Sequence, residues 1–385
     1  MNQQNDAAQV RPFHIAIPEH DLSDLRERLA RTRWPDAVRG DWKDGMDLAA
    51  LREVVDYWQH SFNWRAQEAR LNTFAQALVR VEGGDVHVLH RRGTGPAPFP
   101  LVVTPGWPGS FVEMLELTER LGDPARFGGD AADAFDVVVP SLPGYGFSSR
   151  PATPGTTPSV IAARWVAVMA ALGYDRFGAQ GGDWGSAISA LLGLDHAEHL
   201  AGVHLNFVMQ TLVPSRRELG ERIAPEELAY FERLERWNKR EGGYAHEQGT
   251  KPQTLAYGLN DSPAGLAAWI AEKFRAWSGD GTVSFSHDTL LTNISIYWFT
   301  QTIGSSMRLY WERAHEAATP KPEHPRVPFG FANFPGEFGM PPRALLERTF
   351  GPGHYTTMPR GGHFAALEEP ALLAADIATF FRPLR

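Results

Sequence analysis

The chain of 385 residues contains no cysteine. That excludes disulfides, thiolate catalysis and cysteine-ligated metals, and it fits a reducing compartment. No stretch reaches the roughly 18 uninterrupted apolar residues of a membrane span. The opening residues Met1 to Val10 carry no apolar run of the kind a signal peptide needs. Positive charge is in deficit, with 37 Lys and Arg against 45 Asp and Glu and a formal net charge of -8. Nucleic acid and anionic membrane surfaces demand basic patches, so neither is expected as a partner. Internal repeats and low-complexity stretches are also absent. What remains is a soluble, cytoplasmic globular protein. It is 43% hydrophobic and 21% charged, enough to bury a sizeable core. Its length suits one large catalytic domain with an inserted or appended piece.

Residues 1–70 are helical in pattern and rich in Arg and Trp. Asp21 is placed to cap a helix carrying Leu22, Leu25 and Leu29 at helical spacing, with Trp34-Pro35 ending it. A second helix is predicted over Leu48–His60. This segment has too few apolar residues to fold alone, so it should pack on later parts of the chain. From about Phe74, short β-branched runs alternate with helical stretches. The predicted strands are Ala77–Val81, Val86–His90, Leu101–Thr104, Asp136–Val139, Phe177–Gln180 and Gly202–Leu205, with a helix over Ser159–Leu172 closed by Gly173. The first two strands flank Glu82-Gly83-Gly84-Asp85, a hairpin signal, so the sheet should begin antiparallel and continue mostly parallel. Residues 206–321 break this rhythm, being helical, aromatic and almost strandless. Alternation then returns in Val327–Ala332, Tyr355–Met358 and a helix over Pro370–Phe381, after a Pro-rich return linker at Thr319 to Pro325. The expected organisation is an N-terminal helical segment (1–70), an α/β core (71–205 and 322–385) and a helical insertion (206–321).

The strongest chemical signal is Gly181-Gly182-Asp183-Trp184-Gly185, which follows a predicted strand and precedes a helix. Small residues two before and two after the centre permit the tight strand-to-helix turn of a nucleophile elbow. The central side chain here is a carboxylate. An aspartate is ionised at neutral pH and needs no base to attack an sp³ carbon and form an ester. A helix-capping Asp after a glycine turn is the plain alternative. Ser186 is the other conceivable nucleophile, but Trp184 and Ile188 occupy its flanking positions. Arg360-Gly361-Gly362-His363-Phe364 follows the last predicted strand, where a late His serves such folds as base. Its plain alternative is a structural His on a glycine turn. The acid that orients the imidazole should follow the penultimate strand. Glu337 lies there, with Glu323, Glu347, Glu368 and Glu369 competing nearby. The loop Thr104-Pro105-Gly106-Trp107-Pro108-Gly109 is built for close backbone approach. The N–H groups of Trp107 and Trp184 are candidate oxyanion donors. The pairs His196/His199 and His87/His90 lack a convincing third ligand and read as solvated or packed histidines. Gly178 to Gly182 lacks dinucleotide-binding spacing.

These motifs resemble the microsomal-type epoxide hydrolases, including their soluble bacterial members. The resemblance covers nearly the whole chain. It runs through Pro12 to Pro35, Gly106-Trp107-Pro108-Gly109-Ser110-Phe111, the elbow, Lys251-Pro252-Gln253-Thr254, Asn260-Asp261-Ser262-Pro263, Arg360 to Ala366 and Glu368-Glu369-Pro370. It implies an α/β-hydrolase fold with a mostly parallel central sheet, a helical cap insertion and an N-terminal helical extension. It implies addition of water to an epoxide to give a vicinal diol, with Asp183 as nucleophile, His363 as base and Glu337 as its acid. It maps two epoxide-binding tyrosines of the cap onto Tyr244 and Tyr310. By residue chemistry alone, each would read as a pocket-wall aromatic able to donate a hydrogen bond. No metal or organic cofactor is called for. The partners implied are a small apolar epoxide and water, with no membrane anchor and with a homodimer left open. Pro105 stands where the family usually has His, and the N-terminal anchor of eukaryotic relatives is missing. Detoxification and natural-product biosynthesis, enediyne epoxides among its substrates, both occur among such relatives. The competing activities are a haloalkane dehalogenase, which shares the carboxylate nucleophile, and a hydrolase fold reduced to binding. Trp237, Trp269, Trp277, Trp298 and Trp311 in the insertion imply a roomy aromatic pocket.

Overall fold

A computed structural model describes residues 9–279, 285–316 and 325–385. One sheet of nine strands organises the chain: β1 (Val10–Pro12), β2 (Gln76–Val81), β3 (Gly84–Arg91), β4 (Phe99–Thr104), β5 (Phe135–Pro140), β6 (Phe177–Gly181), β7 (Leu200–Leu205), β8 (Phe329–Asn333) and β9 (His354–Thr357). Their spatial order is β1-β2-β3-β5-β4-β6-β7-β8-β9. The first three strands and β5 pair antiparallel, and every later pairing is parallel. The central strands β4 to β7 are largely buried, and β5 carries the continuous apolar run Val137-Val138-Val139, whereas the edge strand β9 is only half-buried. Order reverses between β5, β4 and β6. That is a switch point, where an open α/β sheet presents its site beyond the carboxyl ends of its strands.

The N-terminal segment is not purely helical. Val10–Pro12 pairs antiparallel with β2, a strand too short to show period-two alternation in the sequence. Three helices come next: α1 (Glu19–Ala30), α2 (Leu48–His60) and α3 (Trp64–Leu71). Asp21 is not the cap of α1. Pro18 holds that position and Asp21 sits in the first turn, where its charge still favours the helix dipole. The helix also ends at Ala30, ahead of Trp34-Pro35. The segment does pack on later elements. The Trp58 indole donates to Ser295 Oγ at 3.1 Å and the Tyr57 hydroxyl donates to Asp288 Oδ1 at 3.0 Å.

Helices α4 (Leu115–Gly122), α5 (Pro158–Ala171) and α6 (Asp183–Asp195) flank the sheet. Between β7 and β8 lie α7 (Arg216–Leu219), α8 (Pro225–Glu241), α9 (Gly243–Thr250), α10 (Pro252–Asp261), α11 (Pro263–Trp277), α12 (His287–Thr300) and α13 (Ile303–His315). The predicted return linker at Thr319 to Pro325 falls almost wholly outside the described residues. After β8 come α14 (Arg343–Phe350), α15 (Ala365–Glu368) and α16 (Pro370–Phe381). Among the described residues no helix is long and apolar enough to cross a membrane.

Candidate active site

Three turns at the carboxyl ends of β4, β6 and β9 converge on one carboxylate. The elbow is the first. Asp183 has φ +46°, a left-handed conformation that a non-glycine residue adopts at a cost of about 1–3 kcal/mol. The turn is possible because its neighbours have no side chains. A Cβ on Gly181 would collide with the carbonyl of Gly185, and one on Gly185 with the carbonyl of Thr104. Gly106, across the site, leaves room for the Asp183 side chain itself. The chain is thus held where the Asp183 carboxylate projects above the sheet at the start of α6.

The carboxylate has a partner on each oxygen. Oδ1 accepts the Trp107 backbone N–H at 2.8 Å, and Oδ2 lies 3.2 Å from His363 Nε2. His363 Nδ1 lies 2.8 Å from Glu337 Oε2, and both of those side chains are buried. Glu337 Oε1 accepts the Gly339 N–H at 3.0 Å, which fixes the acid in its own turn. The Asp183, His363 and Glu337 predicted from three separate motifs therefore form one hydrogen-bonded chain. Burial alone would push the His363 imidazole down. The charge of Glu337 and the hydrogen bonds to Asp183 and Glu337 outweigh it and raise the group to about 10. The competing acids go elsewhere: Glu347 pairs with Arg343, Glu369 with Arg360, and Glu368 accepts the N–H groups of Gly279 and Phe364. Glu323 lies outside the described residues.

Trp107 and Trp184 flank the carboxylate. The Trp107 N–H is already aimed at it, and Trp184 is the second residue of α6, in the turn whose N–H groups a helix leaves unpaired. Cap residues hold the loop that follows Pro105. Asn293 Nδ2 donates to the Pro108 carbonyl at 2.8 Å, and the Tyr297 hydroxyl donates to that of Gly109 at 2.7 Å. Neither residue stands in a recognisable motif, so the sequence offered no signal for them.

Aromatic rings cover the carboxylate from the cap side. Tyr244 stacks on Trp107 at 5.4 Å, and Tyr310 meets Trp184 edge-on at 4.7 Å. The two tyrosine rings are 5.8 Å apart, so α9 and α13 deliver both phenols to the same side of Asp183. Burial, then the Asp183 charge, holds the Tyr244 hydroxyl far above its usual range. Burial, then the neighbouring Tyr244 and Asp183, does the same to Tyr310. Both phenols keep their protons, so each can donate a hydrogen bond, while its oxygen can still accept one.

The expected roomy tryptophan-lined pocket is not what adjoins Asp183. The cavity there is about 20 Å³ and is lined by core loops, including Gly106, Glu113, Gln180, Asp183, Asn206 and His363. Of the five insertion tryptophans, Trp277 reaches His363 at 5.1 Å and Trp237 stacks on Phe338, itself stacked on His363. Trp269 instead donates to Gln248, Trp298 packs under Arg28, and Trp311 stacks on His315. Sequence reasoning also passed over Glu113, buried beside the nucleophile. Its only signal was an acidic residue in the apolar run Phe111-Val112-Glu113-Met114.

The histidine pairs take ordinary roles. His87 bridges Ser141 and Gln76, and His90 meets Tyr174. His196 closes α6, and His199 Nδ1 lies 3.1 Å from the Asp175 carbonyl.

The family model described as the epoxide hydrolase N terminus matches residues 10–114, and that of the alpha/beta hydrolase fold matches residues 100–208. The chain is 38% identical over 403 residues to "Epoxide hydrolase 1" of Oryctolagus cuniculus, covering 96% of this chain and 88% of that one. Juvenile hormone epoxide hydrolase from the silkworm Bombyx mori superposes with a TM-score of 0.86 at 26% identity, covering 100% of this chain and 96% of its own. The Aspergillus niger epoxide hydrolase superposes with a TM-score of 0.84 at 29% identity, covering 98% and 97%.

Proposed function

The chain belongs to the microsomal-type epoxide hydrolase family and is a hydrolase of epoxide ether bonds; we propose that it forms the vicinal diol through a covalent ester on Asp183. One observation carries this reading. The Asp183 carboxylate is held between a backbone N–H at 2.8 Å and an imidazole at 3.2 Å, beneath two protonated phenols.

In the first step an Asp183 oxygen attacks an epoxide carbon and the ring C–O bond breaks. The Tyr244 and Tyr310 hydroxyls donate to the oxygen as its charge grows, which is where such donors lower a barrier. The resting imidazole, raised by two carboxylates, is protonated at neutral pH. Esterification removes the Asp183 charge and its hydrogen bond, so His363 becomes more acidic. The proton it releases to solvent is matched by one that the new alkoxide takes up from solvent past the two phenols, so alkylation itself does not depend on His363. In the second step neutral His363 takes a proton from water, whose oxygen bonds to the ester carbonyl carbon. The oxyanion sits on the Trp107 and Trp184 N–H groups. Collapse breaks the bond between the acyl carbon and the ester oxygen that came from Asp183; that oxygen leaves with the substrate and takes the proton of the regenerated carboxyl, completing the diol. His363 is left protonated, as it began, with Glu337 behind it.

The domain division that fits this reading keeps the helical segment of residues 206–321 as the lid supplying both phenols. A haloalkane dehalogenase would need no alkoxide donors, and halide release set against diol formation separates the two. The direct test of the ester is the mass of the protein after mixing with styrene oxide. A shift equal to the full substrate mass, mapped to the peptide containing Asp183, is expected. Diol formation with no such species in any variant would overturn it.

A further inference from the structure

The cavity beside Asp183 has no residue of α9 or α13 in its lining, and it is lined by more polar groups than the triad needs. Glu113 is buried there, in the short helical turn after the Trp107 loop, and its Oε1 accepts the Gly106 N–H at 3.3 Å. The carboxyl lies so close to Gly109 that a Cβ on that glycine would stand 2.5 Å from Oε1. Gln180, the residue of β6 just before the elbow glycines, gives its Nε2 to Asn206 Oδ1 at 2.8 Å. Its Oε1 is buried with no hydrogen-bond partner among the described residues. Asn206, following β7, lines the same space. A buried acceptor without a partner costs about 1–3 kcal/mol unless something satisfies it. The free volume, about 20 Å³, has room for one water molecule, and such a water is held where two to four polar partners face it.

We propose that this cavity is the seat of the hydrolytic water, with Glu113, Gln180 and Asn206 as the residues that position it between His363 Nε2 and the Asp183 carbonyl carbon. This rests on the two-step reading above. The water gives one proton to His363 and its oxygen bonds to the ester carbon; Glu113 and the two amides hold it without exchanging atoms with it. The charge state of Glu113 fits the role. Burial first, then the facing Asp183 carboxylate, raises it to about 8, while the Gly106 N–H and His363 pull it down. It therefore rests as a neutral carboxyl beside a charged nucleophile. When Asp183 becomes an ester, one source of that repulsion is gone and Glu113 becomes a better acceptor for the water's second hydrogen.

The test separates the two half-reactions in single turnovers with styrene oxide. Glu113→Gln should alkylate within about twofold of the parent, because the Trp107 N–H that holds Asp183 is untouched. Ester hydrolysis should slow on the order of 10-fold or more, since a misplaced reactant forfeits part of the advantage of fixed proximity, and the ester should accumulate on the Asp183 peptide. Gln180→Leu should show the same split, which guards against a Glu113 variant that folds poorly. If Glu113 merely props the Trp107 loop, both half-reactions should slow together. An equal loss in both steps, or no loss in hydrolysis, overturns the proposal. His363→Ala is the control for the underlying reading. If it is folded, inactive and carries no ester, the two-step chemistry itself fails, and that outcome differs from either result for Glu113.

Discussion

The Trp107 backbone N–H donates to Asp183 Oδ1 at 2.8 Å across 76 residues of sequence. One donor therefore serves two charges. It holds a carboxylate at rest and stands ready for the oxyanion that forms at the same carbon when water attacks. Because the donor is backbone, only proline at position 107 would remove it outright, and the loop's position becomes the sensitive quantity.

The nucleophile gives the sharpest expectation. Asp183→Ala should lose diol formation down to the uncatalysed background while retaining its circular dichroism spectrum. The flanking glycines keep the turn open for a small residue, although Ala adopts the left-handed φ of +46° less readily than Asp and the unfolding midpoint should fall modestly. A folded Asp183→Ala protein with ordinary turnover would remove the central claim.

For the phenols, Tyr244→Phe or Tyr310→Phe should slow alkylation, and the double variant should nearly stop it. Losing one donor to a developing oxyanion typically costs on the order of 10²-fold. Hydrolysis of ester already formed should be affected much less. Stopped-flow alkylation rates decide the matter, and wild-type rates in the double variant would place the donors elsewhere.

Removal of the base should divide the reaction differently. His363→Ala should accumulate ester with its hydrolysis crippled, because an aspartate needs no base to attack. Glu337→Gln should show a milder form of the same defect, since the amide still fills the place 2.8 Å from Nδ1 without the charge that stabilises the cation. Intact-mass measurement reads both. An inactive, unmodified His363→Ala protein that still binds substrate would count against the ester.

At the elbow, Gly185→Ala should destabilise the fold by about 1–3 kcal/mol, the ordinary range for overpacking where backbone must move. Its Cβ would run into the Thr104 carbonyl, at the end of a central strand. A lowered denaturant midpoint at unchanged slope is the expected readout; an unchanged midpoint would mean that strand and helix can separate freely.

Stability should also carry the signature of Glu113. Its folded value, about 8, lies above the usual 4.5, so between those pH values the native state binds more proton than the unfolded chain. Stability from this group is then full below about pH 4.5, falls as pH rises and is lost by about 8. Glu113→Gln should flatten that part of the stability profile, measured by urea unfolding at several pH values. An unchanged slope would mean that the carboxyl is not buried as described.

The elbow was legible in residues 181–185 because its constraint is local. A tight strand-to-helix turn needs glycine where a Cβ would strike backbone, and sequence displays that directly. The same holds for the alternation of strands and helices, whose periodicity is a property of neighbouring residues. The sequence by itself determined which carboxylate stands on the elbow, and that His363 and Glu337 follow strands in the right order. Only the tertiary structure decided that they meet. Asp183 and His363 are 180 residues apart, and a 3.2 Å contact at that separation depends on sheet order and loop length. It also decided that β1 joins the sheet edge, that Asn293 and Tyr297 hold the Trp107 loop, and that most insertion tryptophans pack away from the site. Glu113 shows the difference most clearly. In sequence it is one acid among 45 acidic residues, while in the fold, burial beside Asp183 changes its charge and so its chemistry.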